Sequence, residues 1–220
     1  MTLIRTGGYA AIACAATYLF GFTLLVTVLA PMGYGTKEID IDAVAAFIYR
    51  SPGIITVWNT TIYIVNGLAL LVLVVALSDH LRPRSGPWAQ LAQAMGVVWA
   101  TLVLGAGMIA NVATERVVAI YVTSPQDAAA LWEILHSVEL GLGGGNEIAG
   151  AAWILCVSSL GVAKAALPRR VTYHGMITGL AGLATLVPSV ADNAGAVFGL
   201  GAILWFLLVG RVLLRASDSG

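Results

Sequence analysis

The sequence predicts an all-α integral membrane protein with six transmembrane helices and a helical cap on the outer side. The first observation is composition: the 220-residue chain is 59% hydrophobic and only 10% charged, with a mean hydropathy of +0.91. Soluble globular domains contain about 25% charged residues, so this chain could not present enough polar surface to water. The second observation is that its apolar residues fall into segments long enough for a helix to cross a bilayer. We therefore predict a single membrane domain over residues 1–220.

The first two predicted elements are a charge-free span and an amphipathic helix. No charged residue lies between Arg5 and Lys37, and the apolar run over 9–30 that ends before Pro31 is too long for a cleaved signal peptide. A second helix is predicted over 39–50, where it would lie on the membrane surface or on the bundle. Its apolar residues recur at helical spacing: Ile41, Val44, Ala45 and Ile48.

The second and third spans are predicted over 54–77 and 88–122, with a tight loop at 79–87 between them. The third span remains charge-free to Thr114, and its helical pattern continues beyond that residue. The first half of the second span is unusually polar for a membrane helix. Its polar and aromatic residues are Trp58, Asn59, Thr60, Thr61, Tyr63 and Asn66.

The fourth predicted helix, over 127–166, is too long for a simple span. Its roughly 40 residues would extend about 60 Å, twice the thickness of the hydrocarbon layer. The hairpin of the third and fourth helices therefore either projects beyond the bilayer or bends at Gly141–Gly145 and folds over the bundle, and the glycine run favours the bend. Spans over 171–190 and 194–214 complete the predicted bundle.

The basic residues predict the orientation of the chain. Six spans place both termini on one side, and most basic residues fall at the ends on that side, which the positive-inside rule makes cytoplasmic. These residues are Arg5, Arg82, Arg84, Lys164, Arg169, Arg170, Arg211 and Arg215, whereas Lys37, Arg50 and Arg116 fall on the other side. The sequence therefore predicts a prokaryotic cytoplasmic membrane protein with an acidic outer face that would attract cations.

A polar cluster in the fourth span is the candidate functional site. Because a helix turns about 100° per residue, Glu133, His136 and Glu147 share one face within about 60°. Ionisable groups in or beside a bilayer are costly, so they indicate a functional site. Glu139 falls about 60° from His136 and is interpreted as a solvated residue.

Side chains of the second and third spans are expected to join this cluster, because they lie at a similar predicted height. Aromatic side chains would form its walls beneath the cap. The predicted ligand-binding residues are Glu147, His136, Glu133, Asn111, Glu115, Asn59, Tyr63 and Trp132.

Several functions are compatible with this cluster. It could form a pocket for a small amphipathic ligand, or a proton or cation pathway through Glu147 and His136. Glu133-x-x-His136 has the spacing by which ferritin-like bundles bind metals, although the second motif that those bundles need is missing. Alternatively, the acids and His136 only satisfy Arg50, Arg116 and exposed helix ends near an interface.

Other classes of site lack their sequence signatures. The sequence contains no C-x-x-C, no paired-histidine zinc spacing, no phosphate-binding glycine loop and no basic run, so nucleic acid is not an expected partner and no cofactor is indicated. Cys14 and Cys156 lie inside apolar segments and are interpreted as small buried residues.

The second half of the chain resembles a known family. His136 ahead of a glycine run, the segment Ala166-Leu-Pro-Arg169 and a glycine-rich fifth span resemble the prokaryotic membrane proteins filed as domain of unknown function 4386. The first half resembles that family in span layout only. The resemblance implies the six-span architecture and gives no activity.

We therefore predict a non-enzymatic multi-pass protein that binds a small ligand or cation at an outer-side pocket between the second, third and fourth helices. One alternative is a substrate-binding or accessory subunit of a transporter or larger complex. Subunits that bind the substrate of vitamin uptake transporters also have six spans and a small-residue first helix, like Ala11-x-x-x-Ala15, and a partner subunit would need that face exposed. The other alternative is a metal-dependent membrane enzyme.

Overall fold

The computed structural model describes residues 2–36, 38–144 and 147–218, and within these ranges the chain is helical and contains no β-strand. The predicted all-α class is confirmed. Five helices of the described chain are long and apolar enough to cross a membrane. They are Leu3–Met32, Pro52–Ser85, Pro87–Tyr121, Pro125–Lys164 and Ala191–Ser217.

Some of these long helices are built from shorter helical segments of different type. The α-helices are α1 (Leu3–Leu24), α2 (Ile41–Arg50), α3 (Pro52–Asn59), α4 (Asn66–Ser85), α5 (Pro87–Tyr121), α6 (Pro125–Glu139), α7 (Ile148–Lys164), α8 (Arg169–Ala184) and α9 (Ala191–Asp218). Three π-helical segments adjoin them: Leu25–Leu29 after α1, Thr60–Val65 between α3 and α4, and Leu140–Gly144 after α6.

Neighbouring long helices pack antiparallel around a common core. α1 packs against α4 and α9, α5 packs against α4, α6 and α7, and α8 packs between α7 and α9. The pairing of α7 with α8 illustrates the arrangement, since Gly161 meets Thr172 and Gly182 meets Ala151. Small residues at these crossings let the backbones approach closely, as is usual in membrane bundles.

Helix α8, which corresponds to the fifth predicted span, is shorter than the sequence predicts. The fifth predicted span ran over 171–190, but α8 ends at Ala184 and residues 185–190 form turns. Pro188 accounts for the early end, because proline lacks an N–H and disfavours the α conformation of the residue before it. At 1.5 Å per residue α8 extends about 24 Å, less than the roughly 30 Å of hydrocarbon, and it is absent from the five long helices of the described chain.

The prediction of a tight loop at 79–87 is wrong. α4 continues to Ser85, and only Gly86, at φ +54°, separates it from α5. α4 accommodates Pro83 two residues before its end, at the loss of the one backbone hydrogen bond that a proline cannot donate. Leu81, only 1% exposed, packs into the core and holds that turn in place.

A second, smaller core lies at one end of the bundle. α2 packs against α5 and α6 there, with its apolar stripe facing inward, and Asp40 caps α2 by accepting a hydrogen bond from the Ala43 amide at 2.9 Å. This second core comprises Leu29, Val44, Ala45, Ile48, Ile55, Trp58, Val117, Ala128, Ala129 and Trp132. The first loop and the α5–α6 hairpin thus form a packed cap on the bundle.

The fourth long helix is interrupted within its glycine run. Gly143 has φ 137° and ψ 7°, which no α-helix contains, so α6 and α7 are separate helices that meet at a break. Gly145, the end of the predicted bend, and Lys37, one of the three basic residues assigned to the outer side, lie outside the described residues.

Candidate functional site

A cavity of about 560 Å³ lies where the main core meets the capped end of the bundle. Its volume is typical of sites that bind small molecules. Residues from α1, the 34–36 loop, α3, α4, α5, α6 and α9 surround it, together with Glu147 just before α7. Its walls are unusually rich in aromatic rings, namely Tyr18, Phe22, Tyr34, Trp58, Tyr63 and Trp99.

All three π-helical segments border this cavity. Leu25 comes from the first, Ile62 and Tyr63 from the second, and Leu140 and Gly143 from the third. A π-turn contains an extra residue, so it rotates the following side chains relative to a regular α-helix, and such turns are frequent at functional sites. The irregular turns therefore determine which side chains face the cavity.

Glu139 is the centre of a hydrogen-bonded cluster in the cavity wall. The Tyr63 hydroxyl donates to its Oε1 atom, and the Nδ1 atom of His136 lies 2.8 Å from its Oε2 atom. Only 4% of Glu139 is exposed. The interpretation of Glu139 as a solvated residue is therefore wrong: residues three apart are neighbours on a helix surface, and the second π-segment covers this face.

Aromatic rings pack around His136, next to the Glu139 carboxylate. Its ring stacks on Trp132, with centroids 4.5 Å apart and planes inclined by 15°. The Tyr34 ring approaches from the loop, at a centroid distance of 5.2 Å. Burial raises the pKa of Tyr34 well above its ordinary value, and the negative charge of Glu139 raises it further, so the phenol stays protonated at neutral pH.

A small enclosed space adjoins the cluster behind Glu139. It has a volume of about 10 Å³, close to the space one water molecule needs, and Asn59, His136 and Glu139 all border it. Asn59 is 3% exposed, and its Nδ2 atom lies 3.5 Å from the Thr114 hydroxyl. Asn59, one of the predicted site residues, thus borders this polar region from α3.

Glu147 reaches the cavity from the other side of the helix break. It occupies the position before α7, and its side chain lines the cavity without a hydrogen bond to its carboxylate from any residue in the described part of the chain. The break at Gly143 means that the helical phase of α6 does not continue to Glu147. Glu147 and His136 therefore share the cavity through the bend, not through one helix face.

Three predicted site residues lie elsewhere. Glu133 and Glu115 are exposed at the surface, and neither lines the cavity. Asn111 donates through Nδ2 to the Thr60 hydroxyl at 3.1 Å, and this contact joins α5 to the second π-segment outside the cavity. Glu133 also does not contact His136, and the described residues contain no group of three or more His, Cys, Asp or Glu side chains that could hold a metal ion.

Tyr34, the loop residue that roofs the cavity, is not among the site residues predicted from the sequence. Tyr34 lies between Gly33 and Gly35, whose φ angles of +68° and +81° fold the loop inward. Its ring packs edge-on against Trp58 at 5.4 Å. The Gly-Tyr-Gly pattern was the available signal, because glycines with positive φ allow a tight turn that presents the residue between them.

Comparisons of the chain with protein-family models, with curated proteins and with solved structures find no match.

Proposed function

We propose that this chain is a multi-pass protein of a prokaryotic cytoplasmic membrane that binds a small ligand in the 560 Å³ cavity. One observation carries the proposal: the cavity joins an aromatic wall to the hydrogen-bonded cluster of Tyr63, Glu139 and His136. Cavities that bind small molecules typically combine apolar walls with a few fixed polar groups. A carboxylate costs free energy to bury, so its retention here favours a role beyond packing.

The surface of the bundle supports its location in a membrane. Large apolar side chains are exposed along α9, including Val197 at 50%, Leu200 at 63% and Leu204 at 47%. A continuous apolar surface of this kind is rare on proteins that face water. Lipid would cover it in the proposed setting.

We include α8 as a sixth crossing. It lies between α7 and α9, antiparallel to both, and exposes Tyr173, Ile177 and Leu180 on one apolar face. Its shortness is tolerable because a bilayer can thin locally around a short helix. With six crossings, the antiparallel bundle gathers the eight basic residues named above at one end, and both termini would be cytoplasmic.

Labelling of single cysteines tests this topology. The background is Cys14→Ala with Cys156→Ala, and a cysteine replaces Thr2, Ser217 or Thr123 in turn. With six spans, a membrane-impermeant maleimide added to intact cells should label only Thr123→Cys, which lies between α5 and α6. Labelling of exactly one terminus would mean five crossings, and release of the protein by an alkaline carbonate wash would contradict membrane integration.

Native mass spectrometry of the purified full-length protein tests ligand binding. We expect a small molecule to be retained by the wild type and by Glu133→Gln, whose side chain is exposed, and to be lost from Glu139→Gln. A wild-type protein that carries no small molecule and takes up none would overturn the proposal.

The alternatives have less support. A transporter subunit was expected to expose the small-residue face of α1, but Ala11 is 0% and Ala15 1% exposed within the bundle. A metal-dependent enzyme was expected to use Glu133 with His136, and Glu133 points to the surface. The resemblance to the family filed as domain of unknown function 4386 remains a prediction and adds no activity.

A further inference from the structure

We infer that the cavity takes a lipophilic organic cation, such as a quaternary ammonium or phosphonium group attached to an apolar body. This inference rests on the proposed binding function and adds the charge and chemical class of the ligand.

The charges that face the cavity favour a cation. Among its described lining residues, Glu139 and Glu147 carry carboxyl groups on the α6–α7 side, His136 is the one side chain that can become positive, and none is Lys or Arg. A protonated His136 would balance the carboxylate of Glu139, with which it pairs, and leave that of Glu147. An anionic ligand would meet like charge in a site of low dielectric constant, which strongly disfavours its binding.

The aromatic walls favour an organic cation over a neutral ligand. Six aromatic rings line the space, and the faces of Trp and Tyr rings attract cations that have been removed from water. Quaternary ammonium groups are recognised in this way, by aromatic cages with few hydrogen bonds. The apolar remainder of the wall suits the hydrocarbon body of such a ligand.

A metal ion does not suit this site. Divalent cations need several oxygen or nitrogen ligands at short, fixed distances. The described residues contain no cluster of three or more His, Cys, Asp or Glu side chains close enough to supply them. A cavity of about 560 Å³ also far exceeds the size of a bare ion.

The two acidic groups on the α6–α7 side have different roles. Glu139 already accepts a hydrogen bond from Tyr63 and pairs with His136, so its carboxylate is held in the wall. Glu147 receives no hydrogen bond from the described residues and lines the same space. Glu147 is therefore the carboxylate that would pair with the ligand directly.

Binding of two probes of equal shape and opposite charge tests the inference. The probes are tetraphenylphosphonium and tetraphenylborate, measured by equilibrium dialysis against the full-length protein in an uncharged detergent, with empty micelles subtracted. We expect saturable binding of tetraphenylphosphonium and none of tetraphenylborate. Glu147→Gln should weaken the binding of tetraphenylphosphonium about tenfold or more, as expected when a charge pair between protein and ligand is lost.

Two further variants keep the test independent of folding. Glu147→Asp retains the charge and should retain most of the binding, whereas Glu133→Gln removes an exposed charge on α6 and should change nothing. If Glu147→Gln fails to fold, the comparison of the two probes on the wild type still decides the question.

The outcomes separate this inference from the proposed function. Equal or tighter binding of tetraphenylborate, or a co-purified ligand that is neutral or anionic, would overturn the cation inference while leaving ligand binding intact. Binding of neither probe by a protein that also carries no small molecule would overturn both. If the wild type prefers tetraphenylphosphonium and Glu147→Gln abolishes that preference, the result would support both the cation inference and the proposed function.

Discussion

Tyr63 and Glu139, 76 residues apart in the sequence, are joined by a hydrogen bond from the tyrosine hydroxyl to the carboxylate. Each residue lies in or beside a π-helical segment, so the contact links two irregular turns of different long helices. A buried carboxylate needs such partners, because an unsatisfied one is costly in a low-dielectric environment. The pair therefore fixes the geometry of one wall of the cavity.

Removal of the Tyr63 hydroxyl should destabilise the protein. Tyr63→Phe keeps the ring but takes away one of the two partners of Glu139, and loss of a hydrogen bond to a charged group costs about 1.5–3 kcal/mol. The free energy of unfolding, measured by denaturant titration in detergent, should fall by that amount. Tyr173→Phe is the matched control, because Tyr173 is 60% exposed and should tolerate the change. Equal effects of the two substitutions would mean that the hydrogen bond contributes nothing.

Burial of Glu139 can be checked against the exposed Glu133 on the same helix. Glu139→Gln removes the negative charge beside His136 and should lower the free energy of unfolding by about 1–3 kcal/mol. Glu133→Gln should change it by no more than about 0.5 kcal/mol, since it touches no buried feature. The melting temperatures of both variants in the same detergent provide the measurement. A larger loss in Glu133→Gln would reverse our assignment of the two residues.

The helix break should depend on the backbone of a single glycine. Gly143→Ala places a side chain at φ 137°, a conformation that costs L-residues about 1–3 kcal/mol. Gly141→Ala, two residues earlier, should be neutral or stabilising, because a helical glycine is less stable than alanine by about 0.5–1 kcal/mol. An added Cβ meets nothing within 4 Å at either position, so crowding cannot explain a difference between them. If the two substitutions changed the free energy of unfolding in the same direction, the result would contradict the break at Gly143.

Close packing of α7 against α5 should be sensitive to one methyl group. A Cβ at Gly150 would lie 2.6 Å from the Trp99 ring and 3.0 Å from Phe198, so Gly150→Ala must displace an aromatic ring of the core. Overpacking of this kind costs about 1–3 kcal/mol. Since Trp99 lines the cavity, the variant should also weaken binding of tetraphenylphosphonium. Gly53→Ala, where a Cβ meets nothing within 4 Å, is the control for both measurements.

Much of the architecture was predictable because it depends on composition and periodicity. Charge-free apolar runs indicate long helices whatever their partners, and the spacing of Val44, Ala45 and Ile48 indicates the buried stripe of α2. Helix ends that depend on proline were predicted less well. Pro83 is accommodated inside the last turn of α4, whereas Pro188 lies in the turns that follow the early end of α8, and no local rule distinguishes the two.

The candidate site was predictable only in part. His136, Trp132, Asn59 and Tyr63 meet as the sequence indicated, because each is a polar or aromatic residue at a similar height in neighbouring helices. Glu133 was misassigned because Glu133 and Glu139 lie about 60° to opposite sides of His136 on the continuous helix α6, and only packing against Tyr63 decides which side faces inward. Glu139 was misassigned because its burial depends on Tyr63, which lies in another helix.

Composition and residue spacing suffice to predict a helical chain that is apolar along most of its length, since those properties are sums over residues and need no knowledge of contacts. Which acids face the cavity depends instead on how the helices bend and pack against one another. That choice depends on three π-turns and one glycine break, each of which rotates the side chains that follow it. Such turns are stabilised by packing between helices and leave no periodic signal in the chain.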